Sequence, residues 1–447
     1  MTTETLPADL VDFHQVLQLN INQQEMHLVV SFDGRLDGDR LKRAVRLIWD
    51  REPILGCRLV EGWYRPSWRR RDDLDSLDPC PVVEETASGE RRTEFMVTQR
   101  DPRRDPLLSV QLFRGETDTL CVKMSHLVGD ASALIKVTRL IGDYYTRLAT
   151  EPDFRPDVNQ APRAYRAVTR EFSWKECFRV IGKIRENRSI MKSLWQVNTE
   201  DYDPSVENTQ PYYVVRKIPA EVVSRATLYG RRKARATWTT VILAAYYTAM
   251  RSMFSFRFPE EPGLVVTTVD VRQKLPAEKR TDHAVSNMSG PVRLRVSPDP
   301  SSDFQEVLEE LTGQFKSSLR DGTLGFDNPM FVLSMPPLRW LLALVPFSLL
   351  RRRSRRFVAD NVGTPFRMGG VANLGSLSEE NFPFDGVKVE DTWFAGALFR
   401  HFGIGIIATG FEGAVTMCVG FHSSVLHREK GEELLDRMVR ELEALEV

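Results

Sequence analysis

The residues best suited to do chemistry are a histidine and an aspartate four positions apart, His126 and Asp130. A neutral imidazole has an unperturbed pKa near ~6.5 and can accept a proton near neutral pH, so His126 is a candidate general base. Asp130 could orient this imidazole, or it could hold the surrounding chain in place through an ion pair. The other interpretation of His126 is a buried histidine that only satisfies a backbone carbonyl.

The segments around these two residues predict a corner between a strand and a helix. Residues 120–124 form an apolar run that is typical of a buried strand. Residues 131–148 carry apolar side chains at helical spacing, namely Leu134, Val137, Leu140, Ile141, Tyr144, Tyr145 and Leu148. Such a corner can present one side chain to a cleft while the scaffold around it stays rigid.

The heptapeptide Ser-His-Leu-Val-Gly-Asp-Ala, residues 125–131, resembles the H-H-x-x-x-D-G signature of the CoA-dependent acyltransferase superfamily. That superfamily includes condensation domains of peptide synthetases, alcohol O-acetyltransferases and BAHD acyltransferases. Ser125 replaces the first His of the signature and Ala131 replaces its Gly, whereas His126 matches the catalytic His. The resemblance implies an α+β fold in which two chloramphenicol-acetyltransferase-like subdomains form a pseudo-dimer with a central substrate tunnel.

A second segment, residues 269–276, resembles the V-D-x-R-x-x-L-P stretch of the same superfamily. The resemblance implies that Arg272 comes from the second subdomain and pairs with Asp130 across the interface. This pair would position the loop that carries His126 without taking part in proton transfer. The other interpretation of Arg272 is a solvated residue that follows a strand.

Two further segments resemble parts of the superfamily that lie near its tunnel. Asn287 lies in residues 285–294, which resemble the segment before an interdomain strand, and is expected to line the tunnel. Asn373 and Ser376 lie in a segment similar to the S-N-x-G stretch of acetyltransferase members. Either side chain could donate a hydrogen bond to a developing oxyanion. A polar strand end followed by a glycine turn would give the same sequence.

The chain has 447 residues, which is enough for two domains of ordinary size. Residues 150–163 are polar and Pro-rich, and a second polar stretch ends near residue 204, after which the alternation of strands and helices starts again. We therefore predict an N-terminal subdomain, residues 1–205, that carries the histidine motif. Residues 206–447 would form the C-terminal subdomain that completes the tunnel.

The composition argues against several classes of protein. Lys+Arg and Asp+Glu are both 61, and this balance is unlike the basic surplus of a nucleic-acid binder. The five cysteines are scattered without a C-x-x-C pair, and the N-terminus is polar and acidic, so we expect a cytoplasmic protein. There is no H-E-x-x-H motif and no Cys/His cluster, so we expect neither a metal nor a bound cofactor.

Two basic runs, residues 231–235 and 351–356, have several interpretations. They could be solvated helix ends, or they could attract the phosphates of CoA or of a carrier-protein pantetheine. The second run follows an apolar stretch, residues 340–350. This combination is typical either of a packed helix or of a peripheral contact with a membrane surface.

The sequence therefore predicts a monomeric acyltransferase that moves an acyl group from an acyl thioester to a hydroxyl or amine, with His126 as the general base. The thioester would be acyl-CoA or an acyl group on a carrier protein, and the acceptor would be a small molecule. One alternative is a stand-alone condensation domain that acts on carrier-bound intermediates. Another is a catalytically silent binding module, which the substitutions at Ser125 and Ala131 would support. Acceptor identity, acyl length and the choice of ester or amide product stay open.

Overall fold

The computed structural model describes residues 5–446 except 20–21, 87, 191–195, 199–208, 281–282, 298, 300, 362–367 and 401–402. The predicted boundary between residues 205 and 206 lies outside the described residues. The strands in chain order are β1 (Thr5–Pro7), β2 (Asn22–Gln23), β3 (Glu25–Phe32), β4 (Cys57–Glu61), β5 (Pro66–Arg70), β6 (Val82–Glu84), β7 (Leu108–Arg114), β8 (Asp118–Ser125), β9 (Gln196–Asn198), β10 (Pro211–Ile218), β11 (Ser255–Arg257), β12 (Gly263–Asp270), β13 (Ser289–Val296), β14 (Met368–Leu377), β15 (Val389–Ala395), β16 (Leu398–Phe399), β17 (Gly403–Phe411) and β18 (Ala414–His422).

The α-helices lie between these strands and after the last of them. They are α1 (Leu10–Gln18), α2 (Gly38–Arg51), α3 (Glu90–Val97), α4 (Ala131–Thr150), α5 (Arg166–Thr169), α6 (Trp174–Ile190), α7 (Ala220–Ala234), α8 (Trp238–Met253), α9 (Phe304–Arg320), α10 (Pro329–Ser334), α11 (Pro336–Leu344), α12 (Phe347–Asn361) and α13 (Arg428–Glu443). Prolines separate α10, α11 and α12, because proline removes a helix hydrogen bond and restricts the residue before it.

The first lobe is built on a mixed sheet with the strand order β15–β3–β8–β7–β6. β8 lies in the middle of this sheet, antiparallel to both β3 and β7. α4 begins shortly after β8 ends, and its helically spaced Leu134, Val137 and Ile141 are fully buried. The predicted corner between a strand and an amphipathic helix is therefore confirmed.

The second lobe contains the larger sheet, with the order β13–β12–β14–β17–β18–β16–β2 and with β10 also paired to β18. β12 and β14 are parallel neighbours, as are β14 and β17, whereas β17 and β18 form an antiparallel hairpin. α8 is buried along most of its length in the core of this lobe, because it is apolar on nearly every face.

The two lobes exchange strands. β15 comes from the second half of the chain but pairs with β3 in the sheet of the first lobe. β2 comes from the first half and extends the sheet of the second lobe by pairing with β16. The two halves of the sequence are therefore interlocked in space, and a cut at one point in the chain would not separate two complete sheets. Among the described helices, none is both long and apolar enough to cross a bilayer.

Candidate active site

His126 lies in the turn between β8 and α4. Its backbone N–H donates to the carbonyl of Gln24 (2.6 Å), which ties the turn to the start of β3. Its ring Nδ1 is 2.8 Å from the carbonyl oxygen of Gly129. Because a carbonyl only accepts hydrogen bonds, Nδ1 must carry the proton, and the lone pair of the neutral ring is on Nε2.

The environment of His126 favours the neutral imidazole. Burial lowers the pKa of His126 below its ordinary value of 6.5, and this outweighs the opposite effects of the Gly129 carbonyl and the Asp130 charge. Within the described part of the chain, Nε2 has no hydrogen-bond partner. At neutral pH the ring is therefore a base with an open nitrogen.

Asp130 stabilises the corner itself. Its Oδ1 accepts from the backbone N–H of Ala133 (3.0 Å), so Asp130 is the N-cap of α4. The same carboxylate receives two hydrogen bonds from Arg272, Nη1 to Oδ2 at 2.9 Å and Nη2 to Oδ1 at 3.2 Å. Met288 of the second lobe adds a backbone hydrogen bond to Oδ2 at 2.6 Å. The predicted contact between Asp130 and Arg272 is thus present, and the carboxylate bonds to these groups rather than to the His126 ring.

The charges of this pair compensate for its burial. Burial alone would raise the pKa of Asp130, but the Arg272 guanidinium and the backbone donors lower it below its ordinary value. Arg272 is 3% exposed, and it also donates to Asp270 Oδ1 (3.0 Å) and to the carbonyl of Ser286 (2.6 Å). Arg272 thus bonds to Asp270 at the end of β12 and to Ser286 shortly before β13, and it holds these two parts of the chain together.

Asn287 contacts the histidine from the second lobe. Its Nδ2 donates to the carbonyl oxygen of His126 (3.2 Å). The same Nδ2 lies 3.1 Å from His126 Nδ1, and since the Nδ1 proton is directed at Gly129, this second approach is a packing contact and not a hydrogen bond. Asn287 is buried, and it is held beside Met288, which bonds to Asp130. Asn287 is therefore placed to position His126.

Two residues that hold the lobes together were not identified from the sequence. Glu52, 1% exposed, accepts a hydrogen bond from the backbone N–H of Val285 (3.0 Å). Arg163 donates to the carbonyl of Val285 (2.6 Å) and to that of Val128 (3.1 Å), next to the histidine turn. Arg163 is the last residue of the Pro-rich stretch, whose composition is typical of a linker. No local sequence pattern distinguishes Glu52 or Arg163 as a contact between the lobes.

His126 opens onto a cavity of about 420 Å³ between the lobes. Its floor is formed by β12, β14 and β17 of the second lobe, and α1, β2 and the residue before β3 contribute polar side chains. The lining includes Gln15 and Gln18 of α1 together with Ala372 and Leu374 of β14. A cavity of this size, apolar with a few polar groups and one open base, is suited to a small-molecule substrate.

Asn373 and Ser376 are not among the residues that line this cavity. Alternate residues of a strand face opposite sides, and on β14 it is Ala372 and Leu374 that face the cavity. Asn373 faces the other side, where its Nδ2 donates to Thr239 Oγ1 of α8 (2.9 Å), and Ser376 is exposed. The structure therefore does not bring either side chain to His126, contrary to the expectation of an oxyanion or tunnel contact.

Ser125 and Ala131 flank the turn on different sides. Ser125 lines a small space on the other face of the sheet, together with Glu25 and Lys123. Ala131 is the first residue of α4 and lines the cavity beside Asp130. Across the described residues, no three His, Cys, Asp or Glu side chains form a group that could hold a metal ion.

No family model matches the sequence. No curated protein matches it either. Solved structures are similar over nearly the whole chain. The first condensation domain of the CDA synthetase has 15% identity and a TM-score of 0.69, with 99% of this chain and 96% of that chain covered. The epimerization domain from the third module of tyrocidine synthetase B has 13% identity and a TM-score of 0.68, with 99% and 98% covered.

Polyketide synthase associated protein 5 from Mycobacterium tuberculosis is a third similar structure, with 15% identity, a TM-score of 0.65, and 98% and 97% of the two chains covered. The fold is therefore the two-lobe, chloramphenicol-acetyltransferase-like fold of condensation domains. The fold class predicted from the sequence is confirmed.

Proposed function

We propose that this chain is an acyltransferase in which His126 removes a proton from a hydroxyl or amine that attacks an acyl thioester. The observation that supports this most is the open Nε2 of His126 at the cavity between the lobes. The Nδ1–H donates to Gly129, so the ring is held in the tautomer that a general base needs.

The reaction needs no nucleophile from the protein. The acceptor oxygen or nitrogen attacks the thioester carbonyl while Nε2 takes its proton, and a tetrahedral intermediate forms. The carbon–sulfur bond then breaks, the carbonyl is restored, and the proton on Nε2 passes to the departing thiolate. The products are an ester or amide and a free thiol. Asp130 and Arg272 act in this scheme by holding the turn, and Asn287 by positioning the ring.

The thioester donor is either acyl-CoA or an acyl group on the pantetheine of a carrier protein. The likeness of fold to a condensation domain of a peptide synthetase favours the carrier-bound form, because the resemblance implies carrier-bound intermediates. The activity would then be that of a stand-alone condensation domain. The chemistry assigned to His126 is the same for both donors.

The direct test is acceptor-dependent release of thiol from acyl-CoAs of several lengths, and from acyl groups loaded on carrier proteins, with pooled alcohols and amines. His126→Asn is the informative variant. The Asn side-chain amide can still donate to the Gly129 carbonyl, so the turn is retained while the base is lost. His427→Ala is the matched control, because His427 is exposed at the start of α13 and does not line the cavity.

We expect thiol release with wild type and His427→Ala, and a loss of about 10²–10⁴-fold with His126→Asn. Equal rates in wild type and His126→Asn would contradict a role for His126 as the base. Absence of transfer from every donor to every acceptor, with a protein that is folded, would instead support a silent binding module.

A further inference from the structure

α11 presents large apolar side chains to the solvent. Trp340, Leu341 and Leu344 are 68%, 60% and 71% exposed, and they lie on one short helix. A packed helix, which is one interpretation of this stretch in the sequence, would bury these residues. Isolated apolar residues on a surface are ordinary, but a group of this kind marks an interaction site.

The turn between β4 and β5 brings a fourth exposed apolar side chain to the junction of α11 and α12. Trp63 at its tip is 71% exposed. Two hydrogen bonds hold this turn against the junction between α11 and α12. The Arg65 side chain donates to the carbonyl of Leu342 on α11 (2.6 Å), and the backbone N–H of Ser348 on α12 donates to the carbonyl of Trp63 (3.2 Å). Trp63, Trp340, Leu341 and Leu344 together form a surface that we name the apolar tip.

Arginines on α12 flank the apolar tip on one side. Arg352, Arg353, Arg355 and Arg356 are exposed, and none has a carboxylate partner among the described residues. A groove of about 410 Å³ lies between Trp63 and the arginines at positions 351, 352 and 355. Positive charge is therefore concentrated here on a chain whose net charge is +0.

A second group of arginines includes Arg339 of α11 itself. The charge of Arg170 lowers the pKa of Arg166, and desolvation and the charge of Arg339 add to this effect, so the three guanidinium groups lie in one region of the surface. Arg339 is next to Trp340, with its guanidinium carbon 5.9 Å from the centre of the indole ring. Positive charge is thus present next to Trp340 on α11 as well as on α12.

We propose that the apolar tip and its flanking arginines form a docking surface for a membrane that contains anionic lipids. Indole and leucine side chains would enter the boundary between headgroups and acyl chains, and the arginines would bind lipid phosphates at the same depth. Charge complementarity selects the anionic lipid, and four widely exposed apolar side chains favour a lipid surface over an acidic carrier protein. The inference stands independently of acyl transfer.

The docking surface is one helix away from the cavity of His126. Ser354 of α12 donates to the carbonyl of Leu17 on α1 (3.1 Å). Gln15 and Gln18 of that same helix line the cavity. A docked protein would therefore hold this wall of the cavity near the bilayer.

The test is co-sedimentation of the full chain with vesicles of phosphatidylcholine alone or of phosphatidylcholine with phosphatidylglycerol. We expect binding to the mixed vesicles that weakens at high salt. The double variant Arg352→Glu/Arg355→Glu should reduce the partition coefficient at least about tenfold, because each basic residue near an anionic surface contributes about a factor of five. Trp340→Ser/Leu344→Ser should reduce it to a similar extent.

Matched controls come from features of the same kind elsewhere on the chain. Arg231→Glu/Arg232→Glu changes an exposed basic run on α7, and Trp174→Ser removes an indole that is 82% exposed on α6. Both controls should bind like wild type, and circular dichroism should report the same fold for all variants. Absent or equal binding to both vesicle types would overturn the proposal. Equal losses of binding in the α12 and α7 variants would also overturn it. If wild type bound no vesicles but bound a carrier protein, and Arg352→Glu/Arg355→Glu abolished that binding, the partner would be the carrier protein and the proposal would be wrong.

Discussion

Arg272 and Asp130, 142 positions apart in the chain, form a buried ion pair with two hydrogen bonds, Nη1–Oδ2 at 2.9 Å and Nη2–Oδ1 at 3.2 Å. Their side chains are 3% and 4% exposed. The pair connects the end of β12 in the second lobe to the N-cap of α4 in the first. It therefore fixes the turn that carries His126 relative to the opposite wall of the cavity.

The first prediction concerns the stability that depends on this pair. Asp130→Ala leaves the Arg272 guanidinium buried without its main partner and removes the cap of α4, so the free energy of unfolding should fall by about 3–5 kcal/mol. Arg147→Ala is the matched control, because its partner Glu151 and Arg147 itself are half exposed (53% and 50%). An exposed pair of this kind contributes about 0–1 kcal/mol. Urea denaturation followed by circular dichroism measures both, and equal losses would show that burial of the pair has no special effect.

The second prediction is the pH dependence of the same pair. The pKa of folded Asp130 is below its ordinary value of 3.8, so between the two pKa values the unfolded chain binds more protons than the folded chain. The stabilisation is therefore present above pH 3.8 and is lost as the pH falls through the folded pKa. Asp130→Asn resembles the protonated form, so the difference in unfolding free energy between wild type and this variant should be constant near neutrality and shrink in acid. A difference that grew in acid would contradict the direction of the pKa shift.

The corner and its ion pair could be predicted from the sequence because their signals are local. The apolar run of β8 and the helical spacing after Asp130 each fall within one element, and a short motif marks Arg272. The contacts of Glu52 and Arg163 with Val285 join residues 233 and 122 positions apart, and no periodicity reports a contact of that kind.

Asn373 shows a different limit. β14 has residues packed on both of its faces, and the sequence does not tell which alternate set faces the cavity. The structure assigns Ala372 and Leu374 to the cavity and Asn373 to Thr239 of α8. The apolar stretch that contains Trp340 shows the same limit, because apolar helical spacing is identical for a helix that packs and a helix that stays exposed.

The third prediction concerns the pH dependence of catalysis. Burial lowers the pKa of His126 below 6.5, and only the neutral ring can accept a proton. With an acceptor alcohol, kcat/KM should therefore reach a plateau as the pH rises and fall on the acid side with an apparent pKa below 6.5. Initial rates of thiol release between acid and neutral pH measure the profile. An apparent pKa above 6.5 would show either that His126 is more exposed than its contacts indicate or that another group is the base.

The fourth prediction is that Asn287 acts through His126. Asn287→Ala removes the contact with His126 Nδ1 and the hydrogen bond to its carbonyl, so kcat should fall while KM for the thioester stays nearly unchanged. The same substitution in the His126→Asn background should have little further effect on kcat, because no ring is left to position. Independent losses that multiply in the double variant would contradict a positioning role.

The fifth prediction uses the face of β14 that lines the cavity. Ala372 is half-buried there, so Ala372→Phe should place a ring in open space rather than in a packed core, and the free energy of unfolding should change little. The ring should reduce the length of the acyl chain or the size of the acceptor that the cavity admits. Relative kcat/KM for acyl donors of increasing length, each with small and large acceptors, separates these two effects.

Ser376→Phe on the exposed end of the same strand is the control, and it should leave the length profile unchanged. A loss confined to long acyl donors would place the acyl chain along β14, and a loss confined to large acceptors would place the acceptor there instead. If Ala372→Phe left both profiles as in wild type, while His126→Asn still abolished transfer, the substrates would occupy the α1 side of the cavity. Gln15 and Gln18 would then be the next residues to substitute.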